Sequence, residues 1–73
     1  MASIELTNDE KIGVIESHMK NLQYNKYNAQ MTVVQEEALT SPDQATIDKS
    51  NATIAKSDLQ IAALEAELAL LKD

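Results

Sequence analysis

A single proline divides the chain into two segments of nearly equal length, and this division limits the possible folds more than any other feature. Pro42 is the only proline among 73 residues, and a proline disfavours helical geometry at the residue before it. The run from Ser41 to Gln44 is typical of a helix start, with Ser41 as the cap, Pro42 in the first helical position and Gln44 completing a capping box. We therefore expect one helix to end before Pro42 and another to begin there.

The first segment also opens with a capping signal. Glu10 follows Thr7 by three residues, so the Thr7 hydroxyl can accept the Glu10 N–H while the Glu10 carboxylate accepts the Thr7 N–H. From there to Leu39 the chain has no proline, and Gly13 is its only glycine. The predicted elements are an extended arm at residues 1–7, helix one at 8–39, a tight turn at 40–42 and helix two at 43–72.

Apolar residues follow a coiled-coil spacing in both predicted helices. In helix two, apolar residues recur at a strict seven-residue interval, at Ile47, Ile54, Ile61 and Leu68. At about 100° per residue, one sector of helix one contains Ile12, Ile15, Met19, Leu22, Ala29 and Val33. Two long helices on a tight turn pack antiparallel. The sequence therefore predicts an all-α, single-domain fold, a coiled-coil-like antiparallel two-helix hairpin.

A second apolar stripe lies beside the first on each helix. In helix one it consists of Tyr24, Tyr27, Met31, Val34 and Ala38, and in helix two of Leu59, Ala63, Ala66 and Leu70. One hairpin cannot cover both stripes, and a core of this size contributes little stability alone. We therefore expect the hairpin to pack into a larger helical bundle. The alternative is that the alanines are present as good helix formers and the tyrosines lie flat over neighbouring turns.

The predicted arm carries two apolar residues, Ile4 and Leu6, on one side of an alternating pattern. They can either fold back on helix one or grip a neighbouring subunit. With the second stripes, they complete the set of candidate interface residues. This set is Ile4, Leu6, Tyr24, Tyr27, Met31, Val34, Leu59, Ala63, Ala66 and Leu70.

Composition argues against several classes of function. The chain has no cysteine, and no residue three or four positions from His18, its only histidine, is a usual zinc ligand. A net charge of −6 without arginine disfavours nucleic-acid binding. No stretch approaches the roughly 18 apolar residues of a membrane span. We expect no catalytic residues, no cofactor, no metal site, and neither nucleic acid nor membrane as a partner.

Several segments resemble small helical virion and assembly proteins of tailed bacteriophages, particularly marine ones. The similarity covers most of the chain and is carried by Ile4-Glu5-Leu6-Thr7, Asn21-Leu22-Gln23-Tyr24-Asn25-Lys26-Tyr27-Asn28, the turn around Pro42 and the ending rich in alanine, glutamate and leucine. The resemblance implies a virion component or assembly factor. It supplies no functional residues that could be carried over.

These observations favour a non-enzymatic structural or assembly protein located in the virion. Its hairpin would pack through Met19, Leu22, Ile54 and Ile61, and its second stripes would bind further copies or larger virion proteins. The alternative is a small cytoplasmic adaptor or inhibitor that binds a host protein through one helix face.

Overall fold

The computed structural model describes residues 4–72 and contains two helices, α1 (Asn8–Glu37) and α2 (Gln44–Lys72), packed against each other along their length. The described residues contain no strand. The prediction of an all-α, antiparallel two-helix hairpin is confirmed. Residues 1–3 of the predicted arm lie outside the described range, and residues 4–7 precede α1 without regular secondary structure.

The predicted capping box at the start of α1 is confirmed. The Thr7 N–H donates to Glu10 Oε1 at 2.9 Å, and the Glu10 N–H donates to Thr7 Oγ1 at 3.1 Å. The backbone N–H of Thr7, and then the Thr7 side chain, stabilise the Glu10 carboxylate and lower the pKa of Glu10 from its ordinary value. Two of the N–H groups that a helix start leaves without a partner are satisfied in this way.

Asp43, and not Ser41, caps α2, so the prediction of a capping box from Ser41 to Gln44 is wrong. Asp43 Oδ1 accepts the Ala45 N–H at 3.2 Å, and its carbonyl accepts the Ile47 N–H at 3.1 Å. Asp43 Oδ2 also accepts the Thr46 hydroxyl at 2.8 Å. Pro42 therefore lies before the cap, and the Gln44 amide donates forward to Asp48 at 2.9 Å. An aspartate at this position both accepts the free N–H and places negative charge at the helix start.

The connection is longer than the predicted turn, and the Glu36 side chain links its two ends. Glu36 Oε1 accepts the Asp43 N–H at 2.7 Å, and the Glu36 carbonyl accepts the Leu39 N–H at 3.1 Å. α1 ends at Glu37, two residues before the predicted Leu39, and α2 begins at Gln44. The side chain of the last α1 turn thus holds the residue that caps α2, which ties the two helix ends together.

We expect Asp43→Ala to lower the free energy of unfolding by about 1 kcal/mol, the usual cost of losing a helix cap. Asp43→Asn is the matched control, because its amide oxygen can still accept the Ala45 N–H. Both can be measured by urea unfolding followed by circular dichroism. Equal midpoints for the alanine and asparagine variants would contradict the capping role of Asp43.

The seam between the helices follows a regular three-four spacing on both. In α1 it consists of Ile12, Ile15, Met19, Leu22, Lys26, Ala29, Val33 and Glu36, and in α2 of Ile47, Ser50, Ile54, Ser57, Ile61, Leu64, Leu68 and Leu71, all of them buried or half-buried. Ser57 is the most buried, at 3% exposure, and Ala29 also lies in the middle of the seam. Small side chains there leave the hairpin with little apolar volume at its centre.

The hairpin is a flat slab, one helix thick and two helices wide. It measures 63 × 23 × 15 Å, and its radius of gyration is 17.3 Å. A compact chain of this length has a radius of gyration of about 11 Å. The slab therefore has two broad faces and two long edges, one edge formed by the outer side of each helix.

Candidate helix-packing interface

An ion pair across the seam defines which residues of the two helices lie at the same level. Lys26 Nζ lies 2.6 Å from Asp58 Oδ1. The side chains of Lys26 and Asp58 are 26% and 54% exposed, so solvent screens the pair and its contribution to stability is about 0–1 kcal/mol. Because the helices are antiparallel, the pair sets the register of the whole seam. The same register places Tyr24 within one residue of the level of Leu59, and Met31 within one residue of the level of Ala52.

Both broad faces of the slab are polar. On one face a shallow groove between the helices is lined chiefly by polar side chains, which are Asn25, Asn28, Thr32, Thr53, Lys56 and Gln60. Asp58 lies on the other side of the α2 seam from Lys56, so the opposite face carries the Lys26–Asp58 ion pair. A face-to-face bundle of hairpins would have to bury these polar groups.

The outer side of α1 carries large apolar residues in the half nearer the turn. We call the set Tyr24, Tyr27, Met31 and Val34 the α1 edge. Tyr24, Tyr27 and Val34 are 56–61% exposed, and Met31 is half-buried. Tyr24 and Tyr27 border a shallow depression with Lys20 and Gln23. These residues lie nearly opposite the seam, not beside it as the sequence suggested, so α2 of the same chain does not cover them.

The outer side of α2 carries small residues interrupted by two leucines. We call the set Ala52, Ala55, Leu59, Ala63, Ala66 and Leu70 the α2 edge; all six are exposed. Leu59 is 74% exposed and Leu70 is 69% exposed. No charged residue belongs to this edge. It is an exposed apolar stripe on the outer side of α2, and only Ala63 also borders a groove between the two helices.

The residues of the arm lie at the open end of the hairpin. Leu6 is half exposed and borders a shallow groove with Val14, Ile15 and Leu71, which Lys11 and Glu67 also line. Of the two positions considered from the sequence, Leu6 takes the one that folds back on helix one. Ile4 is fully exposed. The end of the slab away from the turn therefore has a small apolar patch separate from the two edges.

The structure divides the candidate interface residues into three groups: four on the α1 edge, four on the α2 edge, and Ile4 with Leu6 at the open end. The pattern of sequence stripes missed Ala52 and Ala55, which extend the α2 edge toward the turn. It also missed Lys26 and Glu36 as seam positions. Lys26 lies four residues after Leu22 and three before Ala29, a spacing that indicates a seam position. Its charge argued against a seam position when the sequence was considered alone.

His18 borders a small groove with Asn21, Gln60 and Leu64. Within residues 4–72, no three histidine, aspartate or glutamate side chains come close enough together to hold a metal ion. Neither α1 nor α2 combines the length and the apolar character that crossing a bilayer requires. The apolar edges are thus the most distinctive surfaces of the described part of the chain.

Comparison with protein-family models, with curated proteins and with solved structures gives no match for this chain.

Proposed function

We propose that this protein is a non-enzymatic structural or assembly protein that acts by packing its helix edges against other helices. The observation that supports this most directly is the position of its large exposed apolar residues. Of the nine that the described residues expose, five lie on the two edges, namely Tyr24, Tyr27, Val34, Leu59 and Leu70. Extended apolar surface of this kind marks interaction sites on soluble proteins.

The total exposed area supports the same proposal. The chain exposes 5677 Å². A compact monomer of 8.0 kDa exposes about 4,500 Å², so the hairpin has roughly 1,200 Å² more surface than a compact chain of its mass. A standard interface covers about 800 Å² on each partner. The excess is therefore large enough for one ordinary interface or two smaller ones.

The setting we propose is a bacteriophage virion, and partners are further copies or larger virion proteins. This part of the proposal rests on the resemblance of the opening residues, the Asn21–Asn28 segment and the turn to small phage proteins. An elongated slab with two uncovered edges has the form of a structural element that is completed by its neighbours.

A second candidate function is an adaptor or inhibitor that binds one protein through a single helix face. The α1 edge supports it, because Tyr24 and Tyr27 are side by side and exposed. Tyrosine is enriched among the residues that dominate binding energy at interfaces. In that case one edge would be covered by the partner, and self-association would not be needed.

Sedimentation of the purified chain, with helicity followed over the same concentration range, separates the two functions. Self-assembly predicts a discrete oligomer or a growing series, with helicity that falls on dilution. A double variant with glutamine at Tyr27 and Leu59 is expected to sediment as a monomer. A stable helical monomer at every concentration would contradict assembly from copies and would favour the adaptor, whose partner must cover the α1 edge.

A further inference from the structure

We infer that copies of this chain stack edge to edge in the same orientation, the α1 edge of one against the α2 edge of the next, forming a single layer of alternating antiparallel helices. The inference rests on the proposed function and names its partner, a second copy of this chain. It also names the surface and the register of the contact.

The distribution of polar residues selects the edges as the contact. The broad faces carry the groove lined by Asn25, Asn28 and Gln60 on one side and the Lys26–Asp58 pair on the other. Burying those groups against a second hairpin would require new partners for each of them. The edges carry fewer such groups. Lys20, which borders the depression beside Tyr24 and Tyr27, can keep its ammonium group in solvent while its methylene stem packs against the neighbour.

The register of the hairpin makes the two edges complementary in size. In side-by-side copies of one orientation, α1 meets the neighbour's α2 at the same levels as it meets its own α2, and again antiparallel. Tyr24 then faces Leu59, and Met31 faces Ala52. Tyr27 lies beside Ala55, which is small enough to leave space for the ring. Large side chains on the α1 edge thus meet mainly small ones on the α2 edge, as close packing of helices requires.

Pairing each edge with a copy of itself fits less well. An antiparallel pair of α1 edges would place bulky residues around Met31 against one another, and a pair of α2 edges would bring mainly alanines together. Each such pair would also leave the other edge of both copies uncovered. The unlike pairing covers both edges of every copy except those at the ends of the layer.

Gly13 gives independent support for this register. A Cβ built on Gly13 meets no atom within 4 Å, so nothing inside the hairpin calls for a glycine there. Glycine in a helix interior is nonetheless the least favourable residue after proline. In the stacked arrangement, Gly13 is within one residue of the level of Leu70, which is 69% exposed in the isolated hairpin. The missing side chain leaves room for the neighbour's Leu70.

The total exposed area is compatible with two contacts per copy. If the excess surface of roughly 1,200 Å² were buried in two equal contacts, each would cover roughly 600 Å², somewhat below the area that one partner contributes to a standard interface. Each single contact is therefore modest, and the assembly gains from having two. Because the contact joins unlike surfaces, it repeats to form an open row or closes into a ring.

Cysteine cross-linking tests the contact, because the chain has no cysteine of its own. The variants are Met31→Cys and Ala52→Cys, made singly and together. In one hairpin the two sites lie on opposite edges of a slab 23 Å wide, too far apart for a disulfide. Under mild oxidation, a mixture of the single variants is expected to form covalent dimers at least about tenfold faster than either variant alone, because stacking raises the effective concentration of the paired thiols. The double variant is expected to form a ladder of larger species.

Each other outcome would overturn the inference. If either single variant by itself formed covalent dimers as fast as the mixture, like edges would be in contact. No cross-linking in the mixture, while the unmodified chain sediments as an oligomer, would show that copies associate through another surface, and the proposed function would stand. A monomer at all concentrations would remove both this inference and assembly from copies.

A variant of Gly13 provides a second test, because its expected effects on folding stability and on association have opposite signs. Gly13→Gln is expected to raise the urea midpoint of the dilute chain, because glutamine is a better helix former. It is also expected to raise the concentration needed for association at least about tenfold, because the glutamine side chain would occupy the space of the neighbour's Leu70 and remove that contact. Association that is unchanged or strengthened by Gly13→Gln would contradict the placement of Leu70 against Gly13.

Discussion

Replacing Ile61 by alanine is expected to unfold most of the dilute hairpin. Ile61 is 7% exposed and lies in the half of the seam where α2 has its large apolar residues. Truncating a buried isoleucine to alanine costs about 2–5 kcal/mol. A domain of this size rarely has more than about 3–5 kcal/mol of stability from its core, so little folded protein should remain. Urea titration followed by circular dichroism of the helical signal measures the loss.

Leu59→Ala is the matched control for that experiment. Leu59 is two residues from Ile61 on the same helix but is 74% exposed, on the outer side of α2. Its truncation is expected to change the stability of the dilute hairpin by no more than about 0.5 kcal/mol. If both variants lost the same stability, the seam would not be where the structure places it.

Replacing Leu59 by lysine is expected to disrupt association while leaving the hairpin folded. Burying a leucine contributes about 1.5–3 kcal/mol, and an ammonium group buried in its place would have no partner. A loss of about 2 kcal/mol raises the concentration needed for association roughly thirtyfold. Sedimentation over a range of concentrations measures this shift, and circular dichroism of the dilute chain checks that the helices remain.

Gln60→Lys controls for the added positive charge. Gln60 is the next residue of α2 and is exposed on a polar face. We expect Gln60→Lys to associate like the unmodified chain at moderate salt. An equal effect of the two lysine variants would mean that net charge, and not the α2 edge, controls association.

Most of the fold could be predicted from the sequence, because the seam of α2 repeats every seven residues and Pro42 divides the chain. The details of the turn could not. Ser41 and Asp43 are both good cap residues, and the local pattern favoured the one followed by proline. The structure uses Asp43, whose N–H is held by Glu36 from seven residues away. A contact between the two helices thus decided between two local possibilities.

The edge residues were only partly predictable. Tyr24, Tyr27, Leu59 and Leu70 were identified from their helical spacing, but their position opposite the seam depends on how the helices are rotated about their own axes. That rotation follows from the full set of seam positions, including Lys26 and Glu36. Charged residues at two seam positions hid part of the repeat, since Lys26 reaches out of the seam to Asp58.

The polar broad faces also bear on how large an assembly of this kind can grow. Each hairpin carries a net charge of −6, so every stacked layer would be negatively charged overall. Like-charged sheets repel one another over about 10 Å at 0.1 M salt. Growth would therefore proceed sideways from hairpin to hairpin and would not thicken beyond one helix diameter until salt screened the repulsion.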